Sequence, residues 1–100
     1  MTRTLLAALA LGFAGIAAAP AHASGLMTCD APRAKWKSMD RLKSQLGAQG
    51  WRLRKVEVDG GCYEVYGTTP DGDRVEAYFH PVSFEKLLVT RRGETLYRKR

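Results

Sequence analysis

Met39, Leu42 and Leu46 recur at i, i+3 and i+7, which places them on one face of a helix. Arg41, Lys43, Ser44, Gln45 and Gln49 fall mostly on the opposite, solvent side. Ser38 offers a side-chain oxygen for the N-cap, and Asp40 puts a negative charge in the first turn, where the helix dipole favours it. Gly47 weakens the last turn, and Gly50 predicts a stop in the left-handed conformation. Trp36, just ahead of the cap, is placed to pack back on the helix as a staple.

After Gly50 the period changes from 3.6 to 2. Trp51, Leu53 and Lys55 alternate with Arg52 and Arg54, and then Val56 and Val58 alternate with Glu57. The apolar phase slips by one at Lys55-Val56, which predicts a bulge there. Asp59-Gly60-Gly61 is a hairpin signal, because such turns need positive φ. The next strand, Cys62 to Gly67, sets Tyr63 and Val65 on one face and Cys62, Glu64 and Tyr66 on the other. Pro70-Asp71-Gly72 turns the chain into a third strand, Arg74 to His80. There Val75, Ala77 and Phe79 oppose Arg74, Glu76 and Tyr78. Pro81 to Phe84 turns again, and Lys86 to Thr90 adds a fourth strand at the sheet edge. The expected fold is α+β: one N-terminal helix packed on a three- to four-stranded antiparallel β-meander, since a sheet face is the helix's only apolar partner.

The first residues change what counts as the domain. Arg3, the apolar run Leu5 to Ala19 and the small-x-small site Ala21-His22-Ala23 have the three parts of an export signal. The run falls short of the roughly 20 apolar residues of a membrane span. Residues 1–23 are therefore read as a signal peptide cleaved after Ala23, which places the mature chain in the periplasm or outside the cell. Residues 24–37 form an N-terminal lead with Cys29, 38–90 the domain, and 91–100 a basic, frayed C-terminal tail. Taking Arg3 from the 16 Lys and Arg leaves 15 against 10 Asp and Glu, a net charge of +5 for 77 residues. That is one domain, with a core small enough to need a staple. Cys29 and Cys62 supply it: an even count in an exported small domain reads as a disulfide, here closing a loop of 34 positions. The chain-entropy model gives such a loop roughly 3.5–4 kcal/mol. A metal or redox pair fits less well, as there is no CxxC and no second Cys or His cluster.

Candidate chemistry is sparse. His80, Ser83 and Asp71 or Asp73 have the residue types of a Ser-His-Asp set, but Pro81 sits between the first two in a turn and no nucleophile elbow is present. Asp71, Asp73 and Glu76 lack calcium-loop spacing. Glu64 and Glu76, on neighbouring strands, are expected to form cross-strand ion pairs with Arg52, Arg54 and Arg74 rather than an acid–base couple. The sequence calls for no enzyme activity, no cofactor and no metal. Tyr66 and Tyr78 are expected on the outer sheet face. With Arg52, Arg54 and Arg74 they form the candidate binding surface, because tyrosine beside arginine suits recognition.

Several of these blocks carry a family resemblance. Leu46 to Gly50 followed by Trp51-Arg52-Leu53-Arg54-Lys55-Val56, then Asp59-Gly60-Gly61-Cys62-Tyr63-Glu64-Val65-Tyr66, then Asp71 to Pro81, resembles the small exported PepSY domain proteins. The resemblance covers Cys29 to about Val89. It departs at His80, where the family usually has Asp or Asn, and at Ser83-Phe84-Glu85, where Thr-Gly-Glu is frequent. It implies one helix on an antiparallel sheet, and a binding or restraining role towards peptidases, as in the propeptides of secreted metallopeptidases. The implied partner is an envelope protein, a peptidase or a membrane protein, met through the outer sheet face or the edge strand. Export argues against nucleic acid as a partner. The alternative is charge-driven contact with anionic envelope surfaces through the tail residues Arg91, Arg92, Arg98, Lys99 and Arg100.

Overall fold

Ser38 caps the helix as its sequence suggests: its Oγ accepts the Arg41 N–H at 3.1 Å, and α1 runs Met39–Ala48. The end is a Schellman motif. The Trp51 N–H donates to the Leu46 carbonyl at 3.0 Å and the Gly50 N–H to the Gly47 carbonyl at 3.1 Å, with Gly50 at φ 100°. These observations come from a computed structural model that describes residues 24–100. The predicted signal peptide, 1–23, lies outside the described residues. Ser38→Ala is expected to cost about 1 kcal/mol, the usual value of an N-cap hydrogen bond, read as a lower midpoint in urea unfolding with an unchanged slope.

Five strands follow: β1 (Arg52–Asp59), β2 (Cys62–Thr68), β3 (Arg74–Phe79), β4 (Lys86–Arg91) and β5 (Glu94–Arg98). They form one antiparallel sheet in chain order, β1-β2-β3-β4-β5. The meander thus has five strands where three to four were expected, and β4 is an interior strand. The true edges are β1 and β5. The tail was expected to fray, but Arg92 and Gly93 take positive φ, 52° and 82°, and this two-residue turn folds it back on β4. The register slip in β1 falls between Leu53 and Lys55, leaving Arg54 as the bulge, one residue before the expected place.

The helix buries Leu42 and Leu46 against Tyr63, Val65, Val75, Ala77, Phe79 and Val89 on one sheet face, with Trp51 and Phe84 closing the ends. Each of the two leucines contributes about 1.5–3 kcal/mol by leaving water. Trp36 packs edge-on against Tyr63 at 5.4 Å between centroids, and its indole N–H donates to the Ala31 carbonyl. Its partner is therefore a sheet residue.

The opposite face is covered too. Cys62, Tyr78 and Leu88 are buried there beneath Met27 and Cys29 of the lead. The Cys29–Cys62 disulfide is formed, with Cα atoms 5.1 Å apart. The Cys29 N–H donates to the Gly60 carbonyl at 2.8 Å, so the lead docks on the β1–β2 turn. A Cβ at Gly60 would strike the Met27 carbonyl oxygen, and one at Gly61 would come within 2.5 Å of the Cys29 carbonyl oxygen. These glycines thus serve positive φ (63° and 81°) and close approach together. The domain has three layers: helix, sheet and lead.

Candidate binding surfaces

Alternation along β2 and β3 sends Glu64, Tyr66, Glu76 and Tyr78 to the outer face, as the sequence indicates. Their surroundings differ from the expectation. Tyr78 is 0% exposed and Tyr66 8%, so neither presents a ring to a partner. The expected exposure fails because the lead, Ser24 to Cys29, lies over them. The Tyr78 hydroxyl donates to Asp59 Oδ2 at 2.6 Å and accepts the Leu26 N–H at 3.2 Å, while the Gly25 N–H donates to the same Asp59 oxygen at 2.8 Å. Ser24 Oγ lies 2.6 Å from Glu64 Oε2 and 2.8 Å from Glu76 Oε1, bridging the two carboxyl groups.

Glu64 is fully buried, and its Oε1 has no hydrogen-bond partner among the described residues. Burial pushes its pKa up, and the nearby Asp59 charge adds to this. The Ser24 hydroxyl, the Tyr66 hydroxyl and the Ser24 backbone N–H pull it down. Burial likewise raises the Tyr66 and Tyr78 phenols well above their usual range. The expected cross-strand ion pairs are not formed: Arg52, Arg54 and Arg74 pair with neither Glu64 nor Glu76. These three arginines are exposed, as read, and Arg54 and Arg74 border a small cleft with the buried Tyr66. The Arg54 guanidinium lies 5.9 Å from the Tyr66 ring centre and Lys55 Nζ 4.6 Å.

His80 is a turn residue. Its Nδ1 accepts the Val82 N–H at 3.1 Å and the Ser83 N–H at 3.4 Å, while Ser83 Oγ accepts the Glu85 N–H. The imidazole lone pair that could take a proton from Ser83 Oγ is thus engaged by backbone. Asp73 pairs with Arg91 at 2.8 Å. Among the described residues no group of three or more His, Cys, Asp and Glu is placed to hold a metal ion.

A surface that the sequence reading missed lies at the β5 end of the sheet. The helix lies against β1, leaving a cleft of about 470 Å³ between Trp51, Thr69, Pro70, Val89, Leu96 and Tyr97. Its charged rim is Lys86, Asp71, Asp73 and Arg91. All five residues of β5 are exposed, including Leu96 (37%) and Tyr97 (40%). Lys86 Nζ stands 4.5 Å from the Tyr97 ring centre. The missed signal was Gly93, a turn residue between Leu87-Leu88-Val89-Thr90 and the short β-prone run Thr95-Leu96-Tyr97.

One helix on a five-stranded antiparallel meander, stapled by one disulfide, defines a small α+β domain. The family profile of the peptidase propeptide and YPEB domain matches residues 3–88, and the chain belongs to this PepSY family. The match ends within β4, so β5 lies beyond it. No curated protein and no solved structure matches the chain. PepSY domains are associated with peptidase propeptides and inhibition rather than with catalysis, and typically act outside the cytoplasm, which suits the disulfide. None of the described helices is long and apolar enough to cross a membrane.

Proposed function

We propose that this protein is a non-enzymatic periplasmic module that binds or restrains an envelope peptidase or membrane protein, using the β5 edge and the cleft beside it. The observation that carries the reading is β5 itself: an edge strand with Leu96 and Tyr97 exposed next to a cleft floored by Val89 and Trp51. An edge strand offers a row of unpaired N–H and C=O groups to an extended segment, while side-chain pockets give selectivity. Lys86, Arg92 and Arg98 around this edge favour an acidic segment.

The test is capture from an envelope extract by the immobilised, oxidised domain, with a high-salt wash and identification by mass spectrometry. Tyr97→Ala and Leu96→Lys are run in parallel. As surface changes, both should alter stability by less than about 0.5 kcal/mol. A protein held by the native chain and lost by both variants supports β5 recognition. If it is a peptidase whose turnover falls on adding the domain, restraint is supported. Equal capture by all three chains refutes the β5 reading.

The charge-driven alternative predicts vesicle binding that fades with salt. It is weakened by pairing within the tail: Arg91 is held by Asp73 and Glu94, and Lys99 lies 3.6 Å from Glu85.

A further inference from the structure

The outer face holds a cluster that neither the binding reading nor the fold accounts for. Glu64, Glu76 and Asp59 converge on Ser24 and Gly25 at the start of the lead. A basic chain has here placed three carboxyl groups under cover, with Glu64 fully buried and its Oε1 without a partner among the described residues. Leaving a carboxylate buried with part of its hydrogen-bonding capacity unused is costly, and such groups are ordinarily matched by a cation. Arg52, Arg54 and Arg74 form no ion pair with Glu64 or Glu76, although Arg54 and Arg74 border a small cleft beside Glu76 and Tyr66.

We propose that this cluster is a binding site for a primary ammonium group, and that its ligand is the chain's own α-ammonium, released at Ser24 when the segment ending at Ala23 is removed. The nitrogen belongs to the residue whose hydroxyl already joins the two carboxyl groups. Ser24 bridges Glu64 and Glu76 through its hydroxyl, and its backbone N–H is among the groups that hold the Glu64 charge. Hydrolysis of the Ala23–Ser24 bond adds water across the peptide: the carboxylate leaves with the severed segment, and the amide nitrogen becomes an ammonium. One uncharged donor turns into a cation with three N–H donors beside two carboxyl groups. Charge-assisted hydrogen bonds to ionised carboxylates are roughly twice as strong as neutral ones. Processing would thus lock the lead over Tyr66 and Tyr78.

The groups that face this nitrogen decide its titration. From β1 these are Lys55, Glu57 and Asp59; from β2, Glu64 and Tyr66; from β3, Glu76 and Tyr78. Lys55 is 3.7 Å from Glu57 and the Tyr66 hydroxyl 3.3 Å from the same carboxylate, which leaves Glu64, Glu76 and Asp59 as the anions nearest the lead. From β4 the face receives Leu88 and Thr90, and Arg54, Arg74 and Arg92 line a small cleft beside Glu76 and Tyr66, so these cations oppose part of the carboxylate field. An α-amino group ordinarily titrates near 7.7–8.0. Anionic neighbours raise that value, so its stabilisation is fully present below about pH 7.7 and is lost as pH rises through the raised value.

The test compares two oxidised chains of identical length, Ser24 to Arg100, prepared by ligating a short peptide at Cys29. One carries a free amino terminus, the other an acetylated one. Acetylation keeps the Ser24 hydroxyl and an N–H but removes the charge. At pH 6.5 the free form should melt roughly 4–8 °C higher, and the gap should close above about pH 9–10. Glu64→Gln should abolish the gap, and Glu76→Gln should narrow it; either variant suffices if the other does not fold. The terminus of the naturally exported chain is read by intact mass. Equal melting of the two forms, a gap untouched by both glutamine variants, or a native terminus other than Ser24 overturns the proposal.

Discussion

Reducing the Cys29–Cys62 disulfide, or replacing both residues by Ser, is expected to lower stability by about 3–4 kcal/mol, a drop in Tm on the order of 15–25 °C for a domain of this size. The loop closed by this bond contains the whole helix, β1 and the first hairpin turn. Opening it restores their freedom in the unfolded chain. The folded state loses something as well, since Met27 and Cys29 cover Cys62, Tyr78 and Leu88. Thermal unfolding by circular dichroism, with and without reductant, measures the effect. A shift of only a few degrees would mean that the lead stays docked through its hydrogen bonds alone.

Tyr78→Ala is expected to be nearly as damaging, costing about 3–5 kcal/mol. The ring is completely enclosed, and its hydroxyl both donates to Asp59 and accepts from Leu26. Removing it leaves a cavity between sheet and lead, and strands the Leu26 N–H. Tyr78→Phe separates the two effects, since it keeps the packing and removes only the hydroxyl, at about 1–2 kcal/mol. Urea unfolding of the pair distinguishes them. Near-equal losses would assign the role of this residue to its hydrogen bonds rather than its ring.

The contrast between these residues and the strands shows what was legible in the chain. Periodicity read the helix and the first four strands because each turns apolar side chains towards the core between helix and sheet, and a core-facing side forces apolar residues into a fixed period. Ser38 and Gly50 announced the helix ends through local chemistry. β5 was hidden because all of it is exposed: Glu94, Thr95, Leu96, Tyr97 and Arg98 have no core face to impose alternation. Its turn, Arg92-Gly93, lacks the usual Asn or Asp. The outer-face error had a different origin. Alternation assigned Tyr66 and Tyr78 to the correct face, but no period reveals what lies over that face. The cover is Ser24 to Cys29, an irregular segment whose backbone bonds go to Asp59, Gly60 and Tyr78. Only the disulfide tied it down in advance.

Every strand of the meander pairs with its sequence neighbour, so the sheet closes through a succession of short local steps and its assembly should be quick for a β-rich domain. The lead is the exception. It is made before the sheet, yet its resting place spans β1, β2 and β3, and does not exist until those strands have met. A segment made before the sheet must therefore wait for those three strands to find its seat. Cys29 itself docks on the β1–β2 turn, so the disulfide holds the lead beside its seat as soon as the first hairpin is present.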